Sequence, residues 1–216
     1  MMARQFEQSL AELKQMLLKM GERVEVAIDR AVRSLKEQNT RMATEVIERD
    51  VEVDRMEEEI DQLVARLIAT QQPVAKDMRR LIAALKIGLD LERMADLAVD
   101  IAEVTVDWKA GDEFLGELDE IPRMAEIVQK MVHDGINSFI CGDVELARRM
   151  AEMDDRVDEL NLDIIRKMTA HLTGPRAEAA LHLCFVSRFL ERIADHATNI
   201  AESVIYIQTG ERADLN

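Results

Sequence analysis

Residues 91–103 read LERMADLAVDIAE and residues 190–202 read LERIADHATNIAE. Nine of the thirteen positions are identical without a gap, and both copies mix apolar residues with carboxylates in the same order. On a helix, at ~100° per residue, Glu92, Asp96, Asp100 and Glu103 fall within an arc of ~80° and stack turn upon turn. The same arc, followed toward the N-terminus, contains Leu85 and Leu89. The acidic row therefore extends an apolar stripe and is expected to be flanked by packed side chains. Four carboxylates so placed repel one another and resist desolvation unless protons or cations compensate them. The motif predicts a helix, and on that helix a reason for metal.

Composition carries the helical reading outward. The chain has 216 residues, 48% hydrophobic and 33% charged, enough to bury a core as one domain or two small ones. Three prolines and eight glycines stand against abundant Ala, Leu, Glu, Met, Arg and Ile, so few residues interrupt long helices. The fold class is all-α. A formal charge of -15, with no long Lys/Arg cluster, repels phosphate backbones and argues against nucleic acid as a partner. The N-terminal MMARQFEQSL lacks an apolar signal region, and no apolar run has spanning length, so a cytoplasmic location is expected, with membrane association only through partner proteins. Cys141 and Cys184 are isolated, without CxxC spacing, and are expected to be buried as small hydrophobes.

Six long helices follow from periodicity and breaks. Leu10, Leu13, Leu17, Met20, Val24, Ala27 and Ala31 recur at alternating three- and four-residue steps, the seam of a helix that ends near Gln38. Asn39 or Thr40 caps a second helix, whose stripe from Met42 through Val46, Val53, Met56, Ile60 and Leu63 reaches Leu67 before Gln71-Gln72-Pro73 breaks it. A third runs from about Ala75 to Trp108, and Gly111 and Gly116 mark the one linker. The pattern then recurs: Ile121 to Ile140, a break at Gly142-Asp143, a helix to Leu172, a break at Thr173-Gly174-Pro175, and a last helix to Thr209.

The halves align beyond the opening motif. An offset of 104 places Ser138 on Ser34, Ala147 on Ala43, Asp154 on Asp50, Val157 on Val53 and Asp158 on Asp54, whereas the motif itself repeats at an offset of 99. The five-residue difference falls before the third helix, where ATQQPVAKDMRR faces the shorter LTGPRAE, and loops tolerate such changes. The expected architecture is two tandem, internally duplicated antiparallel three-helix bundles, residues 1–112 and 117–216.

In a chain with 43 acidic residues a lone ExxxD row arises often by chance and is most often a solvated face. Duplication changes the weight. Asp50 and Asp54 on the second helix recur as Asp154 and Asp158 on the fifth, while Glu57 faces Asn161 and Asp61 faces Ile165. Each half thus offers a DxxxD on one helix and an ExxxD on its antiparallel neighbour. Asp100 is replaced by Asn199, which keeps a carbonyl oxygen and loses a charge. His196 points ~100° away from Asp195 and is left out of the site. His133, His171 and His182 stand alone in the sequence.

Carboxylate and amide oxygens favour hard cations such as Mg²⁺, Mn²⁺, Ca²⁺ or oxidised iron; the cations to expect are Mg, Mn, Fe or Zn. A di-iron oxidase needs Glu-x-x-His on two helices, which the chain lacks. GxxxxGK[ST], HExxH, GxSxG and kinase signatures are also absent.

The two motif copies, the DxxxD pairs and the duplicated layout resemble the PhoU family of phosphate-uptake regulators. The resemblance implies two three-helix bundles with metal held by E/DxxxD pairs. One site takes Asp50, Asp54, Glu92, Asp96 and Asp100; the other takes Asp154, Asp158, Glu191, Asp195 and Asn199. Ala95 and Ala194 stand where many members have Gly. It further implies a non-enzymatic adaptor, often a homodimer, that acts between a phosphate ABC transporter and a sensor histidine kinase and represses the phosphate-starvation response. A carboxylate-cluster metal-storage protein or a metal-dependent hydrolase stays open as the alternative.

Overall fold

The computed structural model describes residues 2–108, 119–173 and 176–215, which are almost wholly helical and contain no strand. The segments are α1 (Met2–Glu37), α2 (Thr40–Arg49), α3 (Val51–Gln71), α4 (Lys76–Asp107), α5 (Glu120–Cys141), α6 (Val144–Ala151), α7 (Asp154–Thr169) and α8 (Ala177–Thr209). The six expected helices are present, two of them broken: α2 and α3 are one rod, and α6 and α7 another. Gly111, Gly116, Gly174, Pro175 and the boundary between 112 and 117 lie outside the described residues.

The helix ends repeat from half to half. Gln38 and Gly142 both take positive φ, 51° and 68°. The following Asn39 and Asp143 each cap the next helix, accepting from the backbone N–H of Met42 at 3.0 Å and of Leu146 at 2.9 Å. Ser34 and Ser138, both fully buried, each donate to the carbonyl three residues back at 2.7 Å.

In the first half α4 packs on α1, α2 and α3; in the second α8 packs on α5, α6 and α7. The bundles are not merely adjacent. α4 also packs along α8 and α1 along α5, so one apolar cluster runs through both halves, from Leu10 to Ile207. α4 and α8 are antiparallel: Lys76 Nζ donates to Gln208 Oε1 at 2.8 Å at one end, and the Trp108 and His182 rings lie 5.9 Å apart at the other.

Three local expectations are corrected. Cys141 is exposed because it is the last residue of α5, beside the turn at Gly142; Cys184 is half-buried, and burial pushes its thiol pKa up. Leu89 is 48% exposed, so it does not wall the acidic row. His133 is not alone: its Nδ1 lies 3.3 Å from Glu25 Oε1.

Candidate metal centres

The breaks in the two rods fall at the acids. Asp50 is the single residue between α2 and α3; its N–H reaches back three residues to the Ile47 carbonyl, and its own carbonyl accepts from Val53 at 2.7 Å. In the second half Glu152 and Met153 separate α6 from Asp154, the first residue of α7, with Met153 N–H on the Met150 carbonyl at 3.0 Å. Such three-residue bonds tighten the turn and start a fresh helix. Its positive end favours the carboxylates in the first turn: Glu52 and Asp54 on α3, and Asp154 and Asp155 on α7.

Burial outweighs that help. The Asp50 carboxyl is pushed up to about 6, first by burial and then by the charges of Asp54, Asp96 and Glu92. Asp154 is pushed up to about 7 by burial and by Asp158, Asp195 and Glu191. Three charged partners recur at equivalent positions, and Asp154 has a fourth in Asp155, where the first half has Val51. In each half, then, the DxxxD pair of the broken rod faces the ExxxD pair of α4 or α8. Burial and the neighbouring Asp96 also raise Glu92, and burial and Asp195 raise Glu191. Asp195 is raised by burial against the opposing pull of Arg188.

Arginines supply part of the missing positive charge. Arg93 stands 3.0 Å from Asp96 and 3.3 Å from Glu92, and Arg188 pairs with Glu191. The charge balance is incomplete, because Asp154 Oδ1 and Glu191 Oε2 are buried and accept no hydrogen bond, and Glu92 Oε2, buried too, has only the Arg93 Nε at 3.3 Å beside it. Orphaned carboxylate oxygens on facing helices fit a hard cation, which would ligate them and cancel their repulsion. The fit requires side-chain movement: among the described residues no three Asp, Glu, His or Cys side chains converge as a ready-made coordination sphere.

Two of the nominated residues lie one turn further along their helices, with contacts of their own. Asp100 is raised by burial, Glu103 and Asp96, and opposed by Arg192 of α8. Asn199 donates from Nδ2 to Asp90 Oδ1 at 3.1 Å, and the same oxygen accepts from His196 Nδ1 at 3.0 Å. Asp100 and Asn199 therefore sit on the α4–α8 seam, one turn past the rows. Arg93, Arg188 and the Asp90–His196 link were not singled out from sequence. Arg93 lies inside the repeated motif, a signal that was present; Arg188 and Asp90 have Leu89 and Phe189 as counterparts, so repetition offered none.

Comparison with known proteins agrees with the fold and its duplication. The PhoU domain model matches twice, at residues 17–105 and 121–204. A phosphate-specific transport system accessory protein PhoU homolog of Aquifex aeolicus is 44% identical over 204 residues, 94% of this chain and 92% of that protein. The one from Clostridium acetobutylicum is 36% identical over 98% of this chain and 97% of its own. The crystal structure of PhoU from Pseudomonas aeruginosa superposes with a TM-score of 0.85 at 33% identity, covering 95% of this chain and 100% of that one. That of the phosphate transport system regulatory protein PhoU from Streptococcus pneumoniae gives 0.88 at 26% identity, over 97% and 99%. With its fold, both repeats and nearly its whole length matched, the chain belongs to the PhoU family.

Proposed function

We propose that this protein is a non-enzymatic, metal-binding regulator of phosphate uptake, a cytoplasmic adaptor between a phosphate ABC transporter and a sensor histidine kinase that represses the phosphate-starvation response. The observation that carries the reading is the match of both halves to one family whose relatives bear the name phosphate-specific transport system accessory protein. No described helix is long and apolar enough to cross a membrane, so contact with a transporter is made from a protein surface. One such surface is aromatic: Phe185 and Phe189 stack at 6.3 Å on α8, and Phe185 and Leu181 are 47% and 46% exposed in a chain only 3% aromatic. Exposed aromatic clusters are what protein interfaces use as anchors. The protein acts as a homodimer in this reading.

The test is genetic. Deleting the gene is expected to release phosphate-starvation genes in phosphate-rich medium, and removing the transporter or the kinase as well is expected to abolish that release. Normal repression in the deletion strain, with no paralogue present, overturns the regulatory reading. The paired carboxylates would then favour metal storage.

A further inference from the structure

The two metal centres repeat their carboxylates but not their arginines. In the first, Arg93 lies beside the Glu92 that it follows in sequence and beside Asp96 one turn on. Its counterpart at the offset of 99, Arg192, forms no ion pair among the described residues. The pull of Arg192 is felt at Asp195 and, across the α4–α8 seam, at Asp100. The second centre is served instead by Arg188, which donates to Glu191 and also favours the charged form of Asp195. The first half has Leu89 in that place, 48% exposed.

The exchange follows from a single charge. Arg192 has Asp100 to attract it across the seam, whereas the counterpart of Asp100 is Asn199, which is neutral and bonded to Asp90. Arg93 therefore stays on its own row, and Arg188 stands in where Arg192 is drawn away. On the helix Arg188 lies ~60° from Glu191 and ~20° from Asp195, inside the row of ligands. Arg93 lies ~100° from Glu92 and ~60° from Asp96, at the edge of its row.

Burial sharpens the difference. Arg188 holds a Glu191 side chain that is 10% exposed, while the partners of Arg93, Glu92 and Asp96, are 20% and 43% exposed. Water and salt screen a pair less as its carboxylate is buried deeper, and breaking such a pair leaves a charge uncompensated. The acids themselves balance between the halves: Glu57 beside Glu92 has the neutral counterpart Asn161, and Asp155 beside Asp154 has the neutral counterpart Val51. The arginines do not balance, since Arg93 acts on the first ExxxD pair and both Arg188 and Arg192 act on the second.

We propose that Arg188 is a built-in counter-ion that a cation has to displace from the second centre, so that the first centre binds cations more tightly and fills first. The proposal rests on the metal reading of the paired carboxylates. The Arg188 side chain is 54% exposed, so it can swing into water when a cation takes its place on Glu191.

Calorimetric titration with Mn²⁺ of variants that keep one centre each tests it. Asp54→Asn/Glu92→Gln/Asp96→Asn leaves the second centre and Asp158→Asn/Glu191→Gln/Asp195→Asn leaves the first, which is expected to bind about three- to tenfold more tightly. Arg188→Leu, which copies the first half, is expected to tighten the second centre by a similar factor while lowering the melting temperature of the metal-free protein. A residue that merely supported the fold would lower both. Arg188→Lys keeps the charge and is expected to keep the weaker binding. Leu89→Arg is expected to weaken the first centre, and carries the test if Arg188→Leu does not fold. Equal affinity at the two centres overturns the proposal, and so does a second centre that Arg188→Leu leaves unchanged or weakens; either outcome leaves the metal reading standing. Absence of Mn²⁺ binding to the wild-type protein overturns the proposal together with the metal reading.

Discussion

Gln38 and Gly142 hold the same left-handed turn at the end of the first helix of each half, with φ of 51° and 68°. Each is followed by a residue whose N–H returns to a buried serine carbonyl, Asn39 to Ser34 at 2.8 Å and Asp143 to Ser138 at 2.9 Å. A β-carbon in this region costs ~1–2 kcal/mol, which glycine escapes at a smaller entropic cost. Gln38→Gly is expected to stabilise the protein by ~0.5–1 kcal/mol, read as a rise of about 1–4 °C in melting temperature. Gly142→Ala is expected to do the reverse, because a β-carbon at this positive φ is strained, while Gln208 Nε2, 2.9 Å from it at the end of a flexible side chain, can move aside.

The buried, unbonded oxygens of Asp154 and Glu191 and the half-compensated Glu92 make the metal reading testable by content as well as by stability. Chelation is expected to lower the melting temperature, and Mn²⁺ to restore it by mass action. Asp54→Asn/Glu92→Gln/Asp96→Asn is expected to empty the first half's site while the second stays filled, halving the metal found by elemental analysis. Equal metal content in variant and wild type would reduce the rows to a solvated face.

A pH profile of the chelated protein checks the electrostatics separately. Asp50 and Asp154, at about 6 and about 7 when folded, stand above their ordinary value of 3.8, so the folded state binds more protons than the unfolded one between those limits. Their contribution is therefore present below pH ~4 and is lost as pH rises through 6 and 7. Asp50 keeps solvent contact whereas Asp154 is buried, so the larger share of the loss falls at Asp154. Asp50→Asn/Asp154→Asn is expected to flatten this slope. Saturating Mn²⁺ is expected to reverse it, since ligation needs the deprotonated carboxylate.

On the α4–α8 seam Asp90 accepts from both His196 and Asn199. Asp90→Ala leaves two half-buried donors without their partner and is expected to cost ~1–3 kcal/mol, seen as a drop of several degrees in melting temperature. Asp90→Asn keeps an acceptor oxygen and is expected to recover part of the loss. A neutral result for Asp90→Ala would mean that water serves the two donors equally well.

Much of the arrangement was legible from residue spacing. The stripe Leu13, Leu17, Met20, Val24 and Ala31 is buried as its periodicity requires, Asn39 caps as a short polar side chain before a helix does, and Asp50 with Asp54 faces Glu92 with Asp96 as the duplicated pairs implied. Ala27 fits the same stripe by period but is only half-buried, on the wall of an open groove between α1 and the α2–α3 rod. The breaks at Asp50 and at Glu152 and Met153 carry no proline or glycine, so nothing in the local sequence marked them.

The sequence by itself determined the helices, their duplication and which side chains share a face, because a helical period of ~3.6 residues is a property of the chain alone. Which face meets which neighbour was decided only by tertiary packing. Asp100 shares the arc of Glu92 and Asp96, and Asn199 that of Glu191 and Asp195, yet α8 sets Arg192 near the one and α4 sets Asp90 against the other. Leu89 continues an apolar stripe and still faces water, and the joining of two bundles into one core brought Asp90 to His196 across 106 residues of sequence. Burial and the charge on the opposite helix set how hard each carboxylate is to ionise, and both are properties of the assembled fold.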